Sequence, residues 1–165
     1  MTFNIKKISA IVLFSCLATT ASANIQMLGG ENEISQSIAD HFQQPTQVYV
    51  GDLTPKDLLY INVGTASEDQ IKKAKSHVLS GDTVVIDLSM IASEEEKIER
   101  SRSIAGLGMS APILVIGTHQ GDDFINAIVS DVVDENNHPI NNAEAELASI
   151  KQSLVHSLTS LGFGE

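Results

Sequence analysis

Tryptophan is absent from this chain of 165 residues, which also holds only one cysteine, two tyrosines and five phenylalanines. So few rigid rings leave little with which to line the stacking pockets that sugars and drug-like ligands use. Basic residues are scarce too: 10 Lys and Arg face 21 Asp and Glu, a net charge of −11. Such a surface repels phosphate backbones and anionic headgroups, so nucleic acid is not an expected partner. A basic or apolar protein, or a divalent cation, is left open by the charge. No apolar run reaches the about 20 residues that a permanent bilayer-spanning helix needs. A lone cysteine also excludes an internal disulfide, so stability must come from a packed core.

What is present begins with a leader. Lys6 and Lys7 form a positive segment, residues 8–17 a short apolar one, and Ala21-Ser22-Ala23 a small-x-small cleavage pattern. Residues 1–23 are therefore expected to be a signal peptide, and residues 24–165 a single domain, periplasmic or secreted. Losing Lys6 and Lys7 leaves 8 basic against 21 acidic residues, a net −13. Leu13-Phe14-Ser15-Cys16 partly resembles a lipobox, although a small or branched residue usually stands where Phe14 does. Lipidation at Cys16, giving an outer-membrane lipoprotein, is thus the alternative to cleavage after Ala23.

Along the remaining chain, helical and strand patterns alternate. Ile34, Ile38 and Phe42 recur every four residues and predict a helix over 31–42, ended by Pro45. With nothing before it to cover it, that helix is a candidate for filling a partner's groove. Residues 47–53 and 58–64 are β-rich. Ser67 and Gln70 have capping-box spacing for a helix that runs through Leu79 and stops at Gly81. Two further strands, at 82–89 and 111–119, flank a helix over 93–107 whose acidic start and basic end suit the helix dipole. Residues 124–133 fit helix or strand, and 134–139 form a turn. Leu147, Ile150, Leu154, Leu158 and Leu161 mark a C-terminal helix over 143–162, expected to pack on its own core. The apolar runs do not alternate, so both faces of the sheet should be covered. The expected fold is α/β, with a mostly parallel, doubly wound, flavodoxin-like sheet flanked by helices.

Ligands of such sheets bind beyond the strand carboxyl ends, which draws attention to Asp87, Ser89, Thr118 and His119. Residues 83–119 resemble part of a response-regulator receiver domain. VVIDLSM would end the third strand in the acceptor Asp87, and ILVIGTH the fourth in Thr118. The chemistry of that family is missing: the early strands offer at most Asp52 where an acidic pair is needed, and residues 124–133 hold no lysine. The resemblance therefore implies the wrap and not phosphotransfer.

Other catalytic patterns are absent as well. His119, Asp122 and Asp123 cluster in sequence, but no HExxH or paired-histidine spacing accompanies them, and the aspartates beside Gly121 fit a helix N-cap. No G-x-S-x-G elbow surrounds Ser89. Gly29-Gly30 has no evident strand before it, and Gly106 and Gly108 follow a helix, so neither makes a phosphate loop. His41, His77, His138 and His156 are expected to be solvated. No metal and no cofactor is expected.

In size, leader, acidity and lack of catalytic signatures, the chain resembles the small accessory proteins made alongside secreted bacterial cytolysins. That resemblance implies a non-catalytic, chaperone-like protein that binds another exported protein. The alternative is an enzyme or ligand-binding domain in which Asp87, Thr118, His119 and Asp122 converge.

Overall fold

The non-alternating apolar runs become the inner strands of one sheet, because a strand covered on both faces needs apolar side chains on both. In the computed structural model, residues 23–130 and 132–165 are described; Cys16 and the expected leader, apart from Ala23, lie outside them. The elements are β1 (Ile25–Leu28), α1 (Glu33–Phe42), β2 (Thr46–Val48), β3 (Leu58–Asn62), α2 (Glu68–Ser80), β4 (Val84–Asp87), α3 (Glu94–Ala105), β5 (Ile113–His119), β6 (Asp122–Ile128) and α4 (Ala143–Ser160). They form one α/β domain whose six-stranded sheet has the order β2-β1-β3-β4-β5-β6.

Strands β2, β1, β3 and β4 are mutually parallel, whereas β5 runs antiparallel to β4, and β6 antiparallel to β5. The sheet is mostly parallel, as expected. Its first five strands follow the flavodoxin order, but the reversed β5 departs from that wrap and from the receiver resemblance. One face packs Ile25, Met27, Tyr60, Val85 and Val115 against α1 and α4. The other packs Leu59, Ile61, Ile86 and Leu114 beneath α2 and α3.

Several helix ends are written in the sequence. Ser67 and Gln70 do form a capping box, Ser93 caps α3, and Gly81 and Gly106 close their helices in left-handed conformations. Helix α4 buries Ile150, Leu154 and Leu158 in its own domain.

Four expectations need correction. Strand β1 was not legible: it is four residues long and carries a polar Gln26, which is buried nonetheless. Its side-chain amide is used by the 49–57 segment, with Nε2 donating to Asp52 O (2.7 Å) and Oε1 accepting from Val50 N (3.2 Å). Because β1 exists, α1 has a sheet to cover; Ile34 and Ile38 are buried, and Phe42 packs edge-on against Phe163. Helix α1 is therefore not a free groove-filler. Its end is set by Gln43 in a left-handed conformation, two residues before Pro45. The expected strand at 47–53 shrinks to β2, since the chain must then cross β1 to start β3 in parallel. Finally, Asp122 and Asp123 cap no helix. They open β6 after a two-residue turn in which Gln120 (φ 53) and Gly121 (φ 91) are both left-handed, the geometry of a type I′ hairpin. That turn also resolves residues 124–133, whose first part is strand.

Gly29 shows how tightly the β1–α1 loop is fitted. Its φ is +84, and an added Cβ would lie 2.7 Å from Asn62 O and 2.8 Å from Thr65 Oγ1. Gly106 (φ +75) has nothing within 4 Å of the same position. Gly106→Ala should lose only the left-handed backbone cost, about 1 kcal/mol. Gly29→Ala should cost clearly more, because a backbone oxygen must also move; urea denaturation midpoints compare the two.

Candidate functional site

The order of the sheet reverses between β1 and β3, which makes the loops after these strands the expected ligand crevice. The chain's own side chains fill it. Gly30 N donates to Thr65 Oγ1 (2.8 Å), and Asn62 Nδ2 donates to Gly30 O (2.9 Å). Contrary to the sequence expectation, Gly29-Gly30 does follow a strand and precede a helix. Even so, the amide a phosphate would use is committed to Thr65, and the N-terminal amides of α1 are committed as well. Asn32 Oδ1 accepts from Ile34 N and Ser35 N, and Ser35 Oγ accepts in return from Asn32 N.

Beside this plug lies Asp87, at the end of β4 and 1% exposed. Its Oδ2 accepts from Tyr60 Oη (2.5 Å) and Asn32 Nδ2 (2.6 Å), and its Oδ1 accepts from Ser89 N (2.8 Å). Burial, reinforced by the Asp87 charge, pushes the Tyr60 phenol far above its ordinary value. Tyr60 therefore remains a donor at any physiological pH. The knot joins β3, β4 and the cap of α1, and both Asp87 and Tyr60 are buried in it. Asp87 is thus neither a surface exit nor an accessible base. One polar atom nearby, Asn62 Oδ1, is buried without a partner.

Thr118, His119 and Asp122 are elsewhere. Register pairs Asp87 with Ile113 at one edge of the sheet, while Thr118 and His119 extend past Val84 at the other. Six residues of strand separate Ile113 from His119, about 20 Å at the usual rise. Asp122 faces His119 across the hairpin, and Thr118 Oγ1 donates to Gly81 O (3.1 Å). The four residues do not converge, because a reversed β5 sends its carboxyl end away from that of β4. Among the described residues, no three His, Cys, Asp or Glu side chains are placed to share a metal ion.

The five histidines divide four to one. His41, His119, His138 and His156 are exposed. The side chain of His77 is only 16% exposed, with Nδ1 2.7 Å from Asp82 Oδ2 and Nε2 2.7 Å from Tyr49 Oη. Together with Tyr49 Oη donating to Gly51 O (2.8 Å), this chain clamps the 49–57 crossing onto α2. Burial, then Asp52 and Asp82, raise the Tyr49 phenol. Sequence spacing gave no sign of this contact, since its partners come from three separate segments.

Two of the open clefts border α2 and α3. One of 650 Å³ between α2 and α3 is acidic: Glu68, Glu95, Glu96 and Glu99 line it, with Arg100 bonded to Glu68 at 2.8 Å. The other, 280 Å³, is apolar and lies where α2 and α3 end over β5 and β6, lined by Val78, Leu79, Leu107, Ile116 and Ile125. Leu79 is 78% exposed and Ile125 49%. Large apolar side chains left in water beside a groove are found at protein-contact and ligand-binding surfaces alike.

The molecule is a single α/β domain with a hydrogen-bonded knot at its strand ends and an apolar groove left open beside β6. Comparison with known proteins gives its kinship. The chain is 49% identical over 154 residues to a "Cytolysin secretion protein" of Vibrio vulnificus (strain CMCP6), spanning 93% of this chain and 92% of the relative. It belongs to the family of that cytolysin secretion protein. No family model matches the chain, and no solved structure matches it.

Removing the Asp87 carboxylate leaves the Tyr60 hydroxyl, the Asn32 amide and Ser89 N without their acceptor. Asp87→Ala should lower unfolding free energy on the order of 3 kcal/mol, given about 1–3 kcal/mol per buried group left unpaired. His119→Ala, at an exposed hairpin end, should stay within about 0.5 kcal/mol. Denaturant titration of both proteins checks the contrast.

Proposed function

We propose that this chain is an exported, non-catalytic accessory protein that binds a second secreted protein and assists the folding or secretion of a cytolysin. The observation that carries the reading is the relationship to a protein named for cytolysin secretion, which runs over nearly the whole of both chains. The fold adds support: the crevice where such sheets usually hold a ligand is filled by Thr65, Asn62 and Asn32, and the apolar groove is uncovered. Deleting the gene should reduce extracellular cytolytic activity while leaving cytolysin synthesis unchanged. The purified partner should also retain this chain on a column; undiminished cytolytic activity or an absence of retention would sink the proposal.

Export includes removal of residues 1–23, so that Asn24 becomes the first residue. Among the described residues, no helix is long and apolar enough to cross a membrane. Asn24 N donates to Asp57 Oδ1 at 2.9 Å, and Asp57 is 4% exposed. Burial alone would raise the Asp57 carboxyl. The N–H groups of Thr54 and Asn24 outweigh that effect and hold it below the usual carboxylate range. Cleavage at this bond turns an amide N–H into an ammonium already facing a buried carboxylate, which favours the charged amine.

The lowered carboxyl contributes stability that is present at neutral pH and lost as pH falls below about 4. Mass spectrometry of the exported protein should show Asn24 as the first residue, and Asp57→Asn should flatten the fall in melting temperature on acidification. A start at Cys16 with added lipid mass would replace this reading with the anchored one.

A further inference from the structure

We infer that the outer edge of β6 is a strand-addition site. Its expected occupant is an extended segment of a second exported polypeptide with apolar residues at alternate positions and Lys or Arg among them. This inference rests on the accessory role proposed above and specifies how the partner is held.

The backbone pattern fixes which groups are free. His119 and Asp122 flank a two-residue turn and so form the first hydrogen-bonded pair of the hairpin. Gly117 with Phe124, Val115 with Asn126, and Ile113 with Ile128 continue that set by alternation. Asp123, Ile125 and Ala127 therefore direct their N–H and C=O groups away from β5. β6 is the last strand in the sheet order, and no backbone hydrogen bond from another described segment reaches these three residues. An unpaired row of donors and acceptors on a seven-residue strand is a template for another strand.

The side chains of the same three residues project to the face covered elsewhere by α2 and α3. Ile125 lines the apolar groove there, opposite Leu79, Leu107 and Val78. A strand added to β6 would thus gain main-chain bonds from the edge and would place every second side chain over the groove. Polarity at the rim sets the partner's charge. Asp123 lies in the lining and Asp82 follows the lining residue Gly81, while no Lys or Arg lines the groove. The whole chain carries −11, so a second copy would bring like charge, whereas a basic segment is attracted. The opposite edge is a poorer template, since β2 has only three residues.

The test uses the mature protein and a labelled synthetic peptide alternating valine and lysine, with a valine–glutamate peptide as control. Ala127→Pro deletes an outward N–H that β5 does not use, a placement that edge strands tolerate. Leu79→Gln removes apolar contact from an exposed helix position and guards against the first variant misfolding. Saturable binding of the lysine peptide, weakened at least tenfold by each variant and undetectable for the glutamate peptide, is the expected result. Amide exchange at Ile125 and Ala127 should slow on binding. Equal affinity of both variants and wild type would overturn the inference, as would a dimer dissociated by Ala127→Pro, which would make the occupant a second copy. If wild type retains its secreted partner and Ala127→Pro and Leu79→Gln retain it equally, the β6 site falls and the accessory role stands. If wild type retains no partner, the accessory role itself fails.

Discussion

A carboxylate with no access to water organises one edge of this protein. Asp87 gathers the hydroxyl of Tyr60, the amide of Asn32 and the N–H of Ser89, so three segments distant in sequence meet at one group. A buried charge is tolerated only when hydrogen bonds replace its lost hydration, and here Asp87 has three. The consequence is functional as well as structural. Asn32 caps α1 with the same side chain that reaches Asp87, so the helix amides, the glycine loop and the strand ends close over one another. The place where doubly wound sheets commonly bind ligands is consumed in holding the fold together.

The other edge of the domain has the opposite character. Helix α3 returns the chain so that β5 runs back beside β4, and β6 follows by a tight hairpin with no helix between them. Helices α2 and α3 then cover only part of their face, leaving Ile116 and Ile125 at a groove that Leu79 borders from above. The reversal thus separates the strand-end residues that sequence order had grouped, and it also creates an open apolar edge.

Between these edges, the 49–57 segment shows why a short crossing can be stable without a helix. Gln26 holds it from the sheet below, and His77 with Asp82 holds Tyr49 from α2. Each partner is polar, Gln26 buried and His77 and Asp82 partly so, and each would look like a solvated residue when judged by its neighbours in the chain.

The sequence by itself determined what depends on local pattern. The Ser67–Gln70 box, Ser93, Gly81 and Gly106 bound their helices, and the non-alternating runs at β3, β4 and β5 announced a sheet covered on both faces. The acidity and missing motifs suggested an accessory role, which the relative's name, that of a cytolysin secretion protein, fits. Tertiary structure decided what depends on direction and pairing. A strand's residues do not record whether its neighbour runs parallel or antiparallel, so Thr118 and His119 could be assigned to either edge of the sheet. Strand β1 was hidden because four residues with a glutamine carry almost no period, and only the loop that satisfies Gln26 makes that strand buriable. With β1 unseen, α1 had nothing to cover, and the knot at Asp87 could not be drawn.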